Sequence, residues 1–216
     1  MTENTFFDDR ESRKVDFGRG PGSIWTLKGL YGEKNSQVDE ERYYEYQCIG
    51  SAYGTFLCHN VMDSTCRGVM KIFIQVPYDG SQRASAEHRK AQAQSIPVDD
   101  FDIDSQLNAL STLITKHCKS SPIILDIKFG TQLAIDPVPG GYIYFVPTNY
   151  LPGIKLSRII FWTLEASERE QIRQAFKLAW NYIISFRMSE PAEESDEWRD
   201  DEWIAWGMTK TQNNCI

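Results

Sequence analysis

The stretch "RGVMKIFIQVPY", residues 67–78, decides the fold of this chain. It is rich in β-branched and aromatic residues, which is typical of a buried β-strand. Its apolar run contains a single charge, Lys71. Charged side chains seldom enter such a run without a partner or a ligand. The stretch therefore predicts a strand whose lysine has a specific task.

The same richness in β-branched and aromatic residues occurs in three further segments. They are "YYEYQCIGSAYGTFLCHNV" (43–61), "SSPIILDIKFGTQ" (120–132) and "GGYIYFVPTNYL" (140–151). The last two are joined by "LAIDPVPGG", whose proline and glycine content predicts a hairpin loop. The polar segment 77–100 is predicted to be a loop that contains a short helix.

Two segments have helical spacing of their apolar residues. The first is 102–117, which Asp104 or Ser105 is predicted to cap. The second is 164–188, in which Ser167 and Glu170 have the spacing of a capping box. The order of strands, helix, strands and helix predicts an α+β fold with an antiparallel sheet.

Composition excludes several classes of protein. The 216 residues carry a net charge of −7 with a pI of about 5.1, which argues against nucleic-acid binding. No apolar run reaches the roughly 18 residues that span a membrane, and the polar N-terminus lacks a signal-peptide core. The five cysteines and three histidines form no C-x-x-C or H-x-x-x-H pair, so no metal site is expected. These observations predict a cytoplasmic or nuclear protein with free thiols.

Two short motifs are typical of the small lobe of a protein kinase. "IGSAYGTF", residues 49–56, lies where a kinase has a glycine-rich hairpin over the phosphates, and it retains Gly50 and Gly54. "VMK", residues 69–71, resembles the V-A-I-K strand whose lysine holds the phosphates. Two plainer interpretations stay open: a hairpin turn for the first motif, and an edge-strand lysine reaching water for the second.

A longer series of motifs resembles a family of fungal protein-kinase-like domains. It includes "MKIFIQVPY", "VPGGYIYFV", "LPGIKL" and "EREQIRQAFKLAWNYI", and it covers roughly residues 43–187. The resemblance implies a kinase-like small lobe, with an antiparallel sheet and one helix, followed by a truncated helical large lobe. The predicted division is a polar N-terminal arm, docked through Trp25, then the small lobe, the remnant of the large lobe and an acidic tail with tryptophans: 1–40, 41–150, 151–188 and 189–216.

The resemblance also implies a nucleotide cleft. Gln106 falls at the position of the glutamate that normally pairs with the strand lysine, and Asp104 is a possible substitute. Thr148 falls near the gatekeeper position, and Asn149 and Tyr150 would be hinge residues. The residues predicted to contact a nucleotide are Gly50, Gly54, Lys71, Gln106, Thr148 and Asn149.

The residues that catalyse phosphoryl transfer are missing from this pattern. A kinase needs the aspartate of an H-R-D-x-x-x-x-N loop and a D-F-G aspartate that holds Mg²⁺. No His-x-Asp occurs in the chain, and no Asp-Phe-Gly follows residue 187. The end of the chain, "EWRDDEWIAWGM", resembles the C-terminal piece of the same family. The expectation is a pseudokinase that lacks the catalytic middle and has no catalytic or metal-binding residue.

Three hypotheses about function follow from the sequence. The first is an inactive kinase-like protein that binds a partner protein through its acidic tail, residues 190–202. The second is an accessory protein of a fungal biosynthetic pathway that binds a nucleotide or small metabolite in the vestigial cleft. The third is an unorthodox enzyme. No resident cofactor is predicted beyond weak binding of ATP or ADP.

Overall fold

The computed structural model describes residues 5–94, 101–115, 117, 121–152, 158–179 and 208. The chain divides into two units. The first contains Met1–Ile103 and Pro122–Tyr150, and the second contains Asp104–Ser121 and Leu151–Ile216.

The first unit is built on one antiparallel sheet. Its six strands are β1 (Lys14–Asp16), β2 (Ile24–Ser36), β3 (Gly50–Asn60), β4 (Arg67–Val76), β5 (Lys128–Thr131) and β6 (Tyr142–Asn149). They lie in the order β1-β2-β3-β4-β6-β5, with every pair antiparallel. The predicted α+β class with an antiparallel sheet is therefore confirmed.

Five α-helices lie among the described residues. They are α1 (Glu40–Tyr46), α2 (Ala86–Lys90), α3 (Phe101–Thr115), α4 (Arg158–Thr163) and α5 (Ala166–Ala179). α2 confirms the short helix predicted in the polar loop, and α3 and α5 confirm the two helices predicted from apolar spacing. Within the part of the chain that the structure describes, none of them has the length and apolar content needed to cross a membrane.

The sheet curls until its two edge strands approach each other. Lys128 of β5 donates a hydrogen bond from Nζ to the carbonyl oxygen of Asp16 in β1. Beside it, Arg19 and Asp126 form an ion pair at 2.9 Å. Both contacts cross the opening between β1 and β5, so we call this region the seam.

A buried ion pair closes the seam at one end. The guanidinium of Arg10 lies 2.9 Å from Asp136 Oδ1, and both side chains are about 95 % buried. The same carboxylate lies 3.4 Å from Arg13 Nη1 and accepts a hydrogen bond from Leu133 N at 2.7 Å. The N-terminal segment is thereby tied to the loop between β5 and β6.

The hydrophobic core fills the concave side of the curled sheet. Its buried residues are Phe7, Val15, Trp25, Leu27, Ala52, Phe56, Cys58, Met70, Ile72, Ile74, Val76 and Ile143. Phe7 is fully buried and packs edge-on against Phe56, with ring centroids 6.1 Å apart. The N-terminal segment therefore contributes to the core itself.

Residues 1–40, which were expected to form a polar arm docked through Trp25, contribute two strands to the sheet. These strands are residues 14–16 and 24–36, and Trp25 is buried in the core. The sequence did not predict β2, because the side chains in its second half are mostly exposed and give no apolar pattern. Such a strand needs backbone pairing to β3 more than it needs apolar side chains.

The strand predicted from Tyr43 onward begins later, at Gly50. Residues 40–46 form α1 instead, because Asp39 Oδ1 accepts a hydrogen bond from Arg42 N at 2.7 Å and caps the helix. Tyr43 stacks on Tyr78 at 5.0 Å, which holds the helix against the sheet unit. Tyr43 and Tyr44, which suggested a strand, are instead helix residues whose rings contact Tyr78.

Both predicted helix caps are wrong in position. α3 begins at Phe101, so Asp104 and Ser105 lie inside the helix. α5 begins at Ala166, and Glu165 N donates to Glu168 Oε2 at 3.0 Å, which places the capping interaction two residues before Ser167.

Glycine has a structural reason in the "VPGG" turn between β5 and β6. Gly140 has φ +84°, a left-handed conformation that favours glycine. A Cβ on Gly141 would lie 2.6 Å from Gln75 Oε1 and 3.0 Å from Val138 O, so no larger residue fits there. The predicted hairpin loop is confirmed, and its motif is explained by packing.

Candidate functional site

The strand register gives β4 two different faces. Met70, Ile72 and Ile74 point into the core. Lys71 and Phe73 alternate with them and therefore lie on the opposite side of the sheet. We call that side the lysine face.

A row of aromatic residues crosses the lysine face from strand to strand. Tyr53 pairs with Phe73, Phe73 with Tyr144, and Tyr144 with Phe129. The rings of Tyr53 and Phe73 are 5.7 Å apart, and those of Phe129 and Tyr144 are 4.6 Å apart. Lys34 of β2 pairs with Tyr53 and extends the row with a positive charge. We call the four aromatic residues the aromatic row.

Lys71 lies one row further along the same face. Its Nζ is 4.8 Å from the ring centroid of Tyr53 and 5.8 Å from that of Phe73, so its ammonium contacts the negative faces of both rings. Burial, and after it the nearby Lys34 ammonium, lower the pKa of Lys71 to about 8. Lys71 as a whole is half-buried.

Thr148 shares the lysine face with Lys71. Lys71 pairs with Val146 of β6, and Val69 pairs with Thr148, so the two side chains are diagonal neighbours. Thr148 is 9 % exposed and its Oγ1 donates to Val69 O at 3.3 Å. The structure therefore brings together these two of the residues predicted to contact a nucleotide.

Asn149 forms hydrogen bonds with the segment that precedes β5. Its backbone N donates to Ile123 O at 3.1 Å, and its Oδ1 accepts from Ile123 N at 2.6 Å. These bonds tie the end of β6 to the segment before β5. The neighbouring Tyr150 ring lies 4.7 Å from the Arg67 guanidinium. The predicted contact of Asn149 with an adenine stays a prediction.

The expectation of a glycine-rich hairpin at residues 49–56 is wrong. Gly50 and Gly54 lie within β3, which is paired on both sides with β2 and β4. Both glycines are on the core face, where a Cβ on Gly54 would lie 2.8 Å from the ring of Phe7. Their small size allows close packing in the core, and they lie on the opposite face of the sheet from Lys71.

A substitution at Gly54 tests this packing role. We expect Gly54→Ala to lower the free energy of unfolding by about 1–3 kcal/mol, because the added methyl group would clash with the fully buried Phe7 ring. Gly32→Ala in β2 is the matched control, since a Cβ there meets nothing within 4 Å. Equal urea midpoints for the two variants would contradict the packing role of Gly54.

Gln106 belongs to the second unit. It lies in α3, where its side chain is 6 % exposed. Its predicted pairing with Lys71 stays a prediction. In the same unit, Arg173 of α5 donates from Nη2 to the carbonyl oxygen of Met208 at 2.8 Å. The rest of the predicted acidic tail, and α5 beyond Ala179, lie outside the described residues.

An Asp-Phe-Gly triplet occurs near the N-terminus of the chain, at residues 16–18. The chain contains the letters Asp16-Phe17-Gly18, but here Asp16 Oδ1 accepts from Gly18 N at 2.7 Å in a turn after β1. No group of three or more histidine, cysteine, aspartate or glutamate side chains is placed to hold a metal ion in the described part of the chain. The Asp16-Phe17-Gly18 triplet therefore forms a turn and is not placed as a metal-binding motif.

Sequence reasoning found Lys71 but missed Lys34 and the aromatic row. The row depends on which residues of four strands face each other, and strand register does not follow from composition. A partial signal was present, because Tyr53, Phe73 and Tyr144 lie at alternate positions among core residues of their strands.

We compared the chain with known proteins. No family model, no curated protein and no solved structure gives a significant match. The fold itself places the chain in the α+β class, with a curled six-stranded antiparallel sheet.

Proposed function

We propose that this chain is a non-catalytic, kinase-like binding protein whose lysine face binds a small anionic ligand of the nucleotide class. The observation that supports this most directly is the pair formed by Lys34 and Lys71. Burial first, and then the Lys34 ammonium on the same face, lower the pKa of Lys71, in a chain with a net charge of −7. An anion close to both lysines would be attracted by both positive charges.

The aromatic neighbours favour a ligand that is partly flat and apolar. Tyr53 is half-buried and Lys34 is exposed, so both offer surface to a ligand next to Lys71. A base or other aromatic ring could pack on Tyr53 while a phosphate or carboxylate met the lysines. Gly50 and Gly54 are left out of the proposed site, since they face the core.

Binding is proposed without phosphoryl transfer. Catalysis of that reaction depends on a metal and on aspartates that position the nucleophile. The sequence lacks the His-x-Asp motif, and the Asp-Phe-Gly letters that it contains form a turn. The alternative of a partner protein bound through the acidic tail rests on residues outside the described part of the chain.

A thermal-shift experiment tests the proposed ligand class. ATP, ADP and inorganic phosphate are added to the full chain with and without Mg²⁺. A ligand at 100 times its Kd should add about 2.7 kcal/mol to the free energy of unfolding. We expect a shift with a nucleotide, its loss in Lys71→Met, and its retention in Lys28→Met, which removes an exposed lysine from the same strand as Lys34.

Two results would refute the proposal. One is the absence of a shift with every nucleotide at millimolar concentration. The other is an equal shift in Lys71→Met and the unaltered protein, because the ligand would then bind away from the lysine face.

A further inference from the structure

A cavity of about 310 Å³ lies in the first unit, beside the buried ion pair of Arg10 and Asp136. Its walls come from three separate parts of the chain, which are residues 5–9, 77–89 and 135–137. The volume is at the lower end of the range that is typical of small-molecule sites. The cavity therefore has the size of a site for a small molecule.

Three buried glutamines fix two of these walls. Gln75 Nε2 donates to the carbonyl oxygen of Gln92 at 2.7 Å, and Gln92 Nε2 donates to Ser81 Oγ at 3.1 Å. Gln132 Nε2 donates to the carbonyl oxygen of Gln75 at 2.8 Å, and its Oε1 accepts from Val138 N at 3.0 Å. The two loops are thereby held against the end of β4, and a site formed by ordered walls loses little entropy when it binds a ligand.

Arg89 supplies a fixed positive charge to the cavity. Its Nε donates to the carbonyl oxygen of Ala84 at 3.2 Å, and its Nη1 donates to those of Asp136 and Pro137 at 3.0 Å and 2.6 Å. Carbonyl groups orient the guanidinium but do not neutralise it. Among the described residues, no carboxylate forms an ion pair with Arg89. A guanidinium held in this way is suited to bind a carboxylate.

Asp8 supplies a negative charge to the same cavity. Of the three carboxylates in the lining, Asp136 belongs to the buried ion pair and Asp9 lies 2.8 Å from Arg13. Asp8 is exposed, and its Oδ2 accepts a hydrogen bond from Thr5 Oγ1 at 2.6 Å. Within the described part of the chain, Asp8 forms no ion pair with a cation. The cavity therefore presents one carboxylate and one guanidinium that do not neutralise each other.

We propose that this cavity binds a small zwitterion, an amino acid with an apolar side chain. Its carboxylate meets the Arg89 guanidinium and its ammonium meets the Asp8 carboxylate, so that each charge of the ligand faces the opposite charge of the protein. This site goes beyond the proposed function, because it uses no residue of the lysine face.

The rest of the lining favours an apolar side chain on the ligand. Phe6, Pro77, Ile135 and Pro137 all line the cavity. Ile135 is 72 % exposed, which is high for a large apolar residue beside a cavity. A ligand side chain that covered it would remove apolar surface from water.

Ligand-observed NMR on the full chain, with L-leucine as the probe, tests the proposal. N-acetyl-L-leucine lacks the ammonium of leucine, and L-leucinamide lacks its carboxylate. We expect leucine to bind at millimolar concentration and each analogue to bind about tenfold or more weakly, because each leaves one charged group of the site without its partner. Absence of leucine binding, or equal binding of either analogue, would overturn the proposal.

Variants assign the two charges. Asp8→Asn should weaken the binding of leucine about tenfold and leave that of N-acetyl-L-leucine unchanged, because this analogue has no ammonium to lose. Glu45→Gln is the matched control, since it removes an exposed carboxylate of α1 that does not line the cavity. Unaltered leucine binding in Asp8→Asn would refute the assignment of the ammonium.

Arg89→Met tests the carboxylate end. It should weaken the binding of leucine about tenfold but leave that of leucinamide unchanged. Equal binding of leucine to this variant and to the unaltered protein would refute the role of Arg89. Arg89 also bonds three carbonyl groups, so a variant that fails to fold leaves the decision to Asp8→Asn and to the two analogues, which need no change in Arg89.

A cross-test separates this site from the lysine face. Lys71→Met should bind leucine as the unaltered protein does, and Asp8→Asn should keep any thermal shift that a nucleotide produces. Loss of leucine binding in Lys71→Met would place the leucine site at the lysine face and overturn the cavity proposal. Leucine binding without any nucleotide shift would uphold the cavity proposal while the proposed function fails.

Discussion

Replacement of Lys71 by methionine is expected to stabilise the protein at pH 7 and to change how stability depends on pH. The pKa of Lys71 is about 8 in the folded state against 10.5 for an ordinary lysine, first because of burial and then because of Lys34. A shift of that size corresponds to about 3 kcal/mol. At pH 7 the folded state has to hold a protonated, half-buried amine, and methionine removes that cost.

The direction of the pH dependence follows from proton linkage. Between pH 8 and 10.5 the unfolded chain holds the Lys71 proton and the folded chain does not, so the free energy of unfolding rises with pH in this window. In Lys71→Met this contribution is absent. Its advantage of about 1–3 kcal/mol at pH 7 should therefore shrink toward high pH.

Urea melts at several pH values measure this difference. Lys28→Met controls for the loss of one positive charge, because Lys28 is exposed on β2. Parallel stability curves for Lys71→Met and the unaltered protein from pH 7 to pH 11 would show that Lys71 has an ordinary environment. A loss of several kcal/mol in Lys71→Met would show instead that its ammonium is part of a satisfied buried network.

Loss of the Asp136 carboxylate is expected to destabilise the first unit by about 3–5 kcal/mol. In Asp136→Ala the guanidinium of Arg10, whose side chain is 4 % exposed, loses the carboxylate that lies 2.9 Å away. Leu133 N also loses its acceptor. The cost is large because a buried charge left without its partner has little access to water.

An exposed ion pair of the same segment provides the control. Asp9 lies 2.8 Å from Arg13, but its side chain is 71 % exposed, so Asp9→Ala should cost less than about 1 kcal/mol. Chemical denaturation of the two variants gives the comparison. Equal losses would mean that the seam is not closed by a dry ion pair.

The effects of Arg10→Met and Asp136→Ala should also be less than additive, because the two side chains are in contact.

Sequence reasoning located the strands that are rich in β-branched and aromatic residues. β4 and β6 are such strands and are largely buried, and the apolar spacing of α3 and α5 was equally informative. These signals are local, because burial of one face constrains residues two, three or four positions apart. They are sufficient for the α+β class and for the position of Lys71 in a strand.

The N-terminal strands could not be read in this way. β1 is three residues long, and most side chains in the second half of β2 are exposed. Their place in the sheet depends on the pairing of β2 with β3, on the pairing of β1 with β2, and on burial of Phe7 in a core formed mainly by distant residues. The switch of residues 40–46 from an expected strand to α1 likewise depends on the Asp39 cap and on contact with Tyr78.

The sequence by itself determined that one lysine stands in an apolar strand of an antiparallel α+β protein. Only the tertiary structure decided that Lys71 shares its face with Lys34, Tyr53 and Thr148, while Gly54 faces the core. The physical reason is strand register. A shift of one residue would exchange the two faces of β3, and that register is fixed by the packing of Phe7, Phe56 and their neighbours in the core.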